Sequence, residues 1–211
     1  MPSRFFVTGT DTGVGKTVVS ALLCAALDAT YWKPIQTGSR EGTDRRTVIE
    51  VAALDRHQTV PETYCFSPPV SPHLAARRAK VSISISKIAS ALQPISGNLI
   101  VEGAGGVLVP ISDSRLMIDL MGALRLPILL VARTSLGTIN HALLSLAALR
   151  AQALEVRGVI LVGKPDRENR RAIVRYGRVR IIGTVPQLDQ INRPVLREVF
   201  RKHFQRRFFL S

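Results

Sequence analysis

Gly9-Thr10-Asp11-Thr12-Gly13-Val14-Gly15-Lys16-Thr17, entered from the apolar run Phe5-Phe6-Val7 and left through the helical pattern of residues 18–27, decides the fold class of this chain. Strand, glycine-rich turn, Gly-Lys-Thr and helix in that order make a phosphate-binding loop. Its backbone N–H groups and the helix N-terminus offer hydrogen bonds to phosphate oxygens. Lys16 adds a point charge for the β- and γ-phosphates, and the Thr17 hydroxyl is placed to reach a Mg2+ ion bridging them. Five residues separate Gly9 from Gly15, one more than in the simple pattern, so this is a lengthened loop. A ligand-free structural turn would not need a lysine between a glycine and a hydroxyl.

Working outward, short β-branched runs alternate with helical stretches, which predicts an α/β P-loop fold: a mostly parallel sheet with helices on both faces. Strands are expected over 4–8, 30–33, 98–102, 127–132, 156–162 and 179–183. Helices are expected over 16–28, 44–54, 84–92, 116–124, 138–153, 168–176 and 194–204. Residues 81–85 alternate as a strand would, yet lead into a helical pattern and are read as a loop. Four prolines between 61 and 72 predict an irregular connection near the site.

The chain has 211 residues, 46% hydrophobic and 21% charged, which suits one domain over 1–211 with a sizeable core. Cys24 and Cys65 form no CxxC pair, so neither a disulfide framework nor a zinc site is suggested, and a reducing, cytoplasmic setting is expected. The N-terminal region leaves no room for a signal peptide, and the longest apolar stretch, 126–132, is too short to span a bilayer. Twenty-nine basic against 15 acidic residues give a net charge of +14, concentrated late in the chain. That balance favours polyanions. Without an aromatic-interleaved or zinc-finger motif it is read as a solvated basic face that also attracts nucleotide, with nucleic acid and membrane left as the lesser alternative.

Two further segments belong at the edge where open α/β sheets bind ligands. Lys33 ends the second strand just before Pro34, and Glu102 ends the apolar strand Leu99-Ile100-Val101. An unpaired buried glutamate there would be costly, so Glu102 is either a ligand or a salt-bridged structural group. Asp44 opens a helix whose Val48, Val51 and Leu54 share one face; it is a metal ligand, an N-cap, or both.

These pieces, together with Lys33-Pro34-Ile35-Gln36-Thr37-Gly38, Val101-Glu102-Gly103-Ala104-Gly105-Gly106, Leu136-Gly137-Thr138-Ile139-Asn140-His141 and Gly183-Thr184-Val185-Pro186, stand in the order and spacing of the dethiobiotin synthetase family, which the chain resembles over roughly residues 3–190. The resemblance implies ATP-dependent carboxylation of 7,8-diaminononanoate by CO2 and ring closure, with ATP and Mg2+ as cofactors and a homodimer as the working form. It implies Lys16 and Lys33 as catalytic residues, and Thr17, Asp44 and Glu102 as metal ligands. The nucleotide would be held by Thr12, Gly13, Val14, Gly15, Lys16 and Thr17, by Asp44, Glu102, Gly103, Ala104 and Gly105, and by Pro186, Gln187 and Leu188. The substrate would be held by Thr10 and Thr37, and by Gly137, Thr138 and Asn140 of a neighbouring subunit; His141 is a capping or packing residue. Gly13 stands where some relatives carry glutamate, and Val162-Gly163 where some carry an adenine-reading asparagine, which implies weaker discrimination among nucleobases.

Other classes compete. Partition and septum-placement switch ATPases share the P-loop sheet and act on DNA or membrane, and the basic C-terminal region with Phe200, Phe204, Phe208 and Phe209 would suit a surface role. Their early P-loop lysine has no counterpart at Thr10, Asp11 or Thr12. An amidoligase would need an acyl pocket and often a glutaminase domain.

Overall fold

The computed structural model describes residues 2–210. Its main sheet has seven strands: β1 (Arg4–Gly9), β2 (Thr30–Trp32), β4 (Thr59–Val60), β6 (Leu99–Gly106), β7 (Ile128–Arg133), β8 (Val156–Val162) and β9 (Ile181–Val185). They are ordered β4-β2-β6-β1-β7-β8-β9 and every pairing is parallel. Parallel neighbours need crossovers, and the helices that make them cover both faces.

Side-chain alternation with period two feeds two separate cores. Phe6, Val101, Leu130 and Leu161 face one layer, formed by α3 (Pro72–Arg78), α4 (Ile85–Leu92), α5 (Met117–Leu124), α6 (Thr138–Ala151) and α7 (Arg167–Gly177). Phe5, Val7, Ile100 and Leu129 face the other, formed by α1 (Lys16–Leu27), α2 (Asp44–Ala52) and α8 (Arg193–His203). With β1 at the centre, buried on both sides, the phosphate loop is anchored at the middle of the sheet's carboxyl edge.

Each strand expected from the periodicity is present, 156–162 with the same bounds and the others with ends moved by at most four residues. Residues 81–84 are a loop and α4 starts at Ile85, capped by the Ser84 side chain accepting from the Lys87 N–H. The proline-bearing stretch differs from expectation. It contains β5 (Tyr64–Cys65), paired in parallel with β3 (Ile35–Gln36), and then opens α3 with Pro72 at its first turn.

The C-terminal phenylalanines are interior. Phe200, Phe204 and Phe209 are buried and pack in mutual ring contact, with Phe209 edge-on to Phe5 of β1. An added Cβ at Gly183 of β9 would lie 2.4 Å from the Phe204 ring, so only glycine lets the ring approach the strand. Ser3 donates to the Phe209 carbonyl, tying this segment to the start of β1. Surface use of those rings, one support for a membrane-acting switch, is thereby excluded for three of the four.

Candidate active site

The P-loop bends through two left-handed glycines, Gly13 at φ 70° and Gly15 at φ 95°. A Cβ on Gly15 would also meet Val162 at 2.9 Å, where the end of β8 abuts the loop. Val14 is buried beneath the loop, against Gly9. The Lys16 ammonium folds back onto the Asp11 carbonyl at 2.9 Å. Burial is the main influence on it and pushes its pKa down to about 8, with Lys33 adding repulsion against attraction by Glu102, Asp44 and Asp11.

Behind the loop lies a compact polar cluster. Lys33, 6% exposed, sits 2.6 Å from Asp44 Oδ2 and 3.0 Å from Glu102 Oε1. The Thr17 hydroxyl lies 2.7 Å from Asp44 Oδ1 and 3.0 Å from Glu102 Oε1, and its one proton serves one of them at a time. Tyr31 donates to Glu102 Oε2 at 3.0 Å. Burial opposes charge on Lys33, but the carboxylates of Glu102 and Asp44 and their hydrogen bonds outweigh it and hold its pKa above the usual value. Burial likewise opposes charge on Asp44, and Lys33 and the hydrogen bonds from Thr17 and Gln36 reverse it, so its carboxyl lies below the ordinary range.

Geometry takes the capping role away from Asp44. Thr43 is the N-cap of α2, its side chain accepting from the Arg46 N–H, and Asp44 is the first helical residue with its carboxylate turned to Thr17 and Lys33. Gln36 Oε1 accepts from the Asp44 N–H at 3.1 Å, while its amide donates to the Thr37 carbonyl at 2.7 Å. Thus β3, too short to show a period, fixes both an acid and a hydroxyl residue of the site.

Three hard oxygens from Thr17, Asp44 and Glu102 meet beside the phosphate loop, which fits Mg2+: that ion takes one or two carboxylates and completes its shell with water and phosphate oxygens. Among the described residues there is no cluster of three His, Cys, Asp or Glu that would hold a metal without such help. In the free protein the Lys33 ammonium is the cation shared by the two carboxylates.

Two clefts meet at the loop. The larger, about 690 Å3, is lined by Thr12, Gly13, Gly15, Lys16 and Thr17, by Lys33, Thr37, Asp44, Glu102, Ala104 and Gly105, and by Pro69 to Pro72. Both lysines therefore open into one cavity. The smaller, about 410 Å3, is lined by Thr10 and Asp11, by Gly106 to Pro110, and by His141, Leu144, Ser145 and Ala148 of α6. Gly103 lines neither; a Cβ there would strike the Phe6 ring at 2.9 Å, so its smallness serves packing. Gly137, Thr138 and Asn140 also lie outside both, Gly137 being the left-handed N-cap of α6 and Asn140 exposed. Pro186, Gln187 and Leu188 follow β9 at the same sheet edge, beyond the larger cleft.

Besides Gln36, two more residues were not foreseen from the sequence. Tyr31 lies two positions before Lys33, and residues two apart on a strand face the same way, so the spacing Tyr31/Lys33 beside β6 was the available signal. Arg133, ending β7, pairs with Asp11 at 3.3 Å; half-exposed on both sides, this pair contributes little to stability. For Tyr31→Phe we expect a fold weakened by about 1.5–3 kcal/mol, the range for a hydrogen bond to a charged group. A raised Mg2+ requirement in turnover should accompany it; an unchanged Mg2+ titration would show that Tyr31 does not position Glu102.

Comparisons with known proteins agree with this geometry. A family model described as an AAA domain matches residues 3–195. The chain is 46% identical over 212 residues to the ATP-dependent dethiobiotin synthetase BioD of Agrobacterium fabrum, covering 100% of this chain and 99% of that protein. It is 46% identical over 211 residues to the protein of the same name from Rhodopseudomonas palustris strain HaA2, covering 100% and 98%. For that from Brucella anthropi the identity is 43% over 209 residues, covering 99% and 98%. Among solved structures, a ParA family ATPase from Chlorobium tepidum superposes with a TM-score of 0.58 at 15% identity, covering 95% of this chain and 92% of that one. MinD from Aquifex aeolicus gives 0.52 at 17%, covering 89% and 83%. These two show the fold.

Proposed function

The chain belongs to the ATP-dependent dethiobiotin synthetase family, and from that membership we propose how its cleft carries out the reaction. It is an ATP-dependent ligase of biotin biosynthesis, with 7,8-diaminononanoate and CO2 as the substrates its family membership implies. One amine attacks CO2 and loses a proton, giving a carbamate. The carbamate oxygen attacks the γ-phosphorus and ADP leaves. The second amine attacks the carbamoyl carbon, loses a proton, and phosphate departs as the ring closes. Phosphorylation is needed because a carbamate's negative charge opposes nucleophilic attack and its oxygen is a poor leaving group.

Bringing a carbamate to a triphosphate joins two anions, so cationic side chains must face the transferring phosphoryl group. The observation that carries this reading is the single cleft shared by Lys16 and Lys33. Lys16 and the loop amides hold the β- and γ-phosphates. Lys33, released from one or both carboxylates, turns to the carbamate and γ-phosphoryl oxygens. Thr17, Asp44 and Glu102 would hold Mg2+, which when bound neutralises phosphate charge. Thr10 and Thr37 line the two clefts from opposite sides of the loop and would orient the diamine.

The substrate's carboxylate tail belongs, in this reading, at the α6 N-terminus of a second copy. Support comes from the outward position of Gly137 and Asn140 and the exposed Leu136 and Leu144, which suit a homodimer built on α6. A cytoplasmic setting is consistent with two free cysteines, and no described helix is long and apolar enough to cross a membrane.

Incubation with the diamine, MgATP and labelled bicarbonate should place label in a cyclic urea, with one ADP released per ring. ATP turnover that needs DNA or lipid and yields no labelled ring would overturn this in favour of a switch ATPase.

A further inference from the structure

We propose that the end of the molecule opposite the phosphate loop is a surface for the phosphodiester backbone of a nucleic acid, bound without reading bases. In a parallel sheet all strand starts share one edge, and the phosphate loop lies at the other. At the starts of β8 and β9, Arg150, Arg157, Arg178 and Arg180 line one groove of about 300 Å3. Beside α8, Arg197, Arg201 and Arg206 line a second of about 300 Å3.

The turn 206–208 joins the two grooves. Arg180 and Arg207 both lie over the Phe208 ring, and Arg157 Nε donates to the Phe208 carbonyl at 3.1 Å. With Lys202, nine exposed cations line or flank the two grooves among the described residues, with Glu155 and Glu198 as the carboxylates paired to them, a local excess of seven positive charges set against the chain's net +14. Among the described residues only Arg157, Arg201 and Lys202 of the nine form ion pairs.

Such crowding of like charge opposes folding unless an anion relieves it. ATP cannot do so from the far edge. Eight of the nine cations are arginines, whose planar fork suits phosphate oxygens. Phe200, Phe204 and Phe209 are buried, and among the described residues Leu210 is the one exposed large apolar side chain in either groove, too little for a bilayer wedge. The half-buried Phe208 ring is covered by Arg180 and Arg207, and Tyr176 lines neither groove, so no free ring is offered for base stacking. Phosphate contact alone remains.

Fluorescence anisotropy with a labelled 20-base-pair DNA duplex tests this at 50 and 200 mM salt. Binding should weaken by at least about tenfold across that range through counterion release. Arg178→Glu with Arg180→Glu should weaken it at least about tenfold further at 50 mM, while ring closure stays unchanged and the melting temperature does not fall. Arg77→Glu with Lys87→Glu, an equal charge change on α3 and α4, should have little effect. Equal losses in both pairs would mean net charge alone and overturn the proposal. So would absence of binding, polyglutamate competing as well as DNA at equal charge, or tighter binding to anionic phosphatidylserine vesicles than to duplex.

Discussion

Lys33→Ala is expected to lower ring closure by at least about 10³-fold, in line with losing a cation aimed at a transferring phosphoryl group. The ammonium is nearly buried between Asp44 and Glu102, so its removal also leaves two carboxylates facing one another. Breaking such a buried pair costs about 3–5 kcal/mol. Chemistry and stability must therefore be separated, by measuring turnover well below the variant's own melting temperature and by measuring MgATP binding. Binding should persist while turnover vanishes. Because Lys33 holds the place between the two carboxylates that a divalent ion would share, Mn2+ should bind the nucleotide-free variant more tightly than wild type. Full activity in Lys33→Ala would remove the mechanism; unchanged Mn2+ affinity would remove the competition.

Lys16→Ala should abolish turnover through a different step, loss of nucleotide binding, detected by calorimetry with a nonhydrolysable ATP analogue. A pH profile extends the test. With its pKa held near 8 by burial, Lys16 in the free protein is losing its proton above that pH. Binding a triphosphate favours the charged form, so ATP affinity should fall above about pH 8, approaching tenfold per pH unit. Lys16→Arg should flatten that dependence. Between pH 8 and the usual lysine value the unfolded chain holds more protons than the folded one, so Lys16 makes stability rise with pH across that window. A nucleotide affinity that stays level to pH 9.5 in wild type would show that Lys16 carries its charge without help from ATP.

The phosphate loop, Lys33 and Glu102 were legible because each is tied to a strong strand pattern ending in a residue that burial alone would forbid. Asp44 was only half legible: an acid at a helix start reads equally as a cap, and the true cap, Thr43, emerges only from hydrogen bonds. Gln36 and the β3–β5 pair were invisible, since strands of two residues have no period and owe their existence to neighbours already in place. Gly103 carries a second constraint that the sequence did not show. Its absent side chain serves the Phe6 ring, a contact between β1 and β6 that glycine-rich spacing cannot distinguish from a ligand cradle. The phenylalanines of α8 and beyond, interleaved with arginines, suggested surface, but amphipathic spacing turned them inward and left the guanidinium groups outside.

The tie between Ser3 and Phe209, 206 positions apart, has a consequence during synthesis. At about 5–20 residues per second a ribosome delivers the second partner roughly 10–40 s after the first. For that interval one flank of β1, including Phe5, lacks its ring neighbours. The nascent chain would then be most vulnerable to aggregation while its nucleotide loop is already complete in sequence, and early ATP binding or a chaperone covering that flank would protect it.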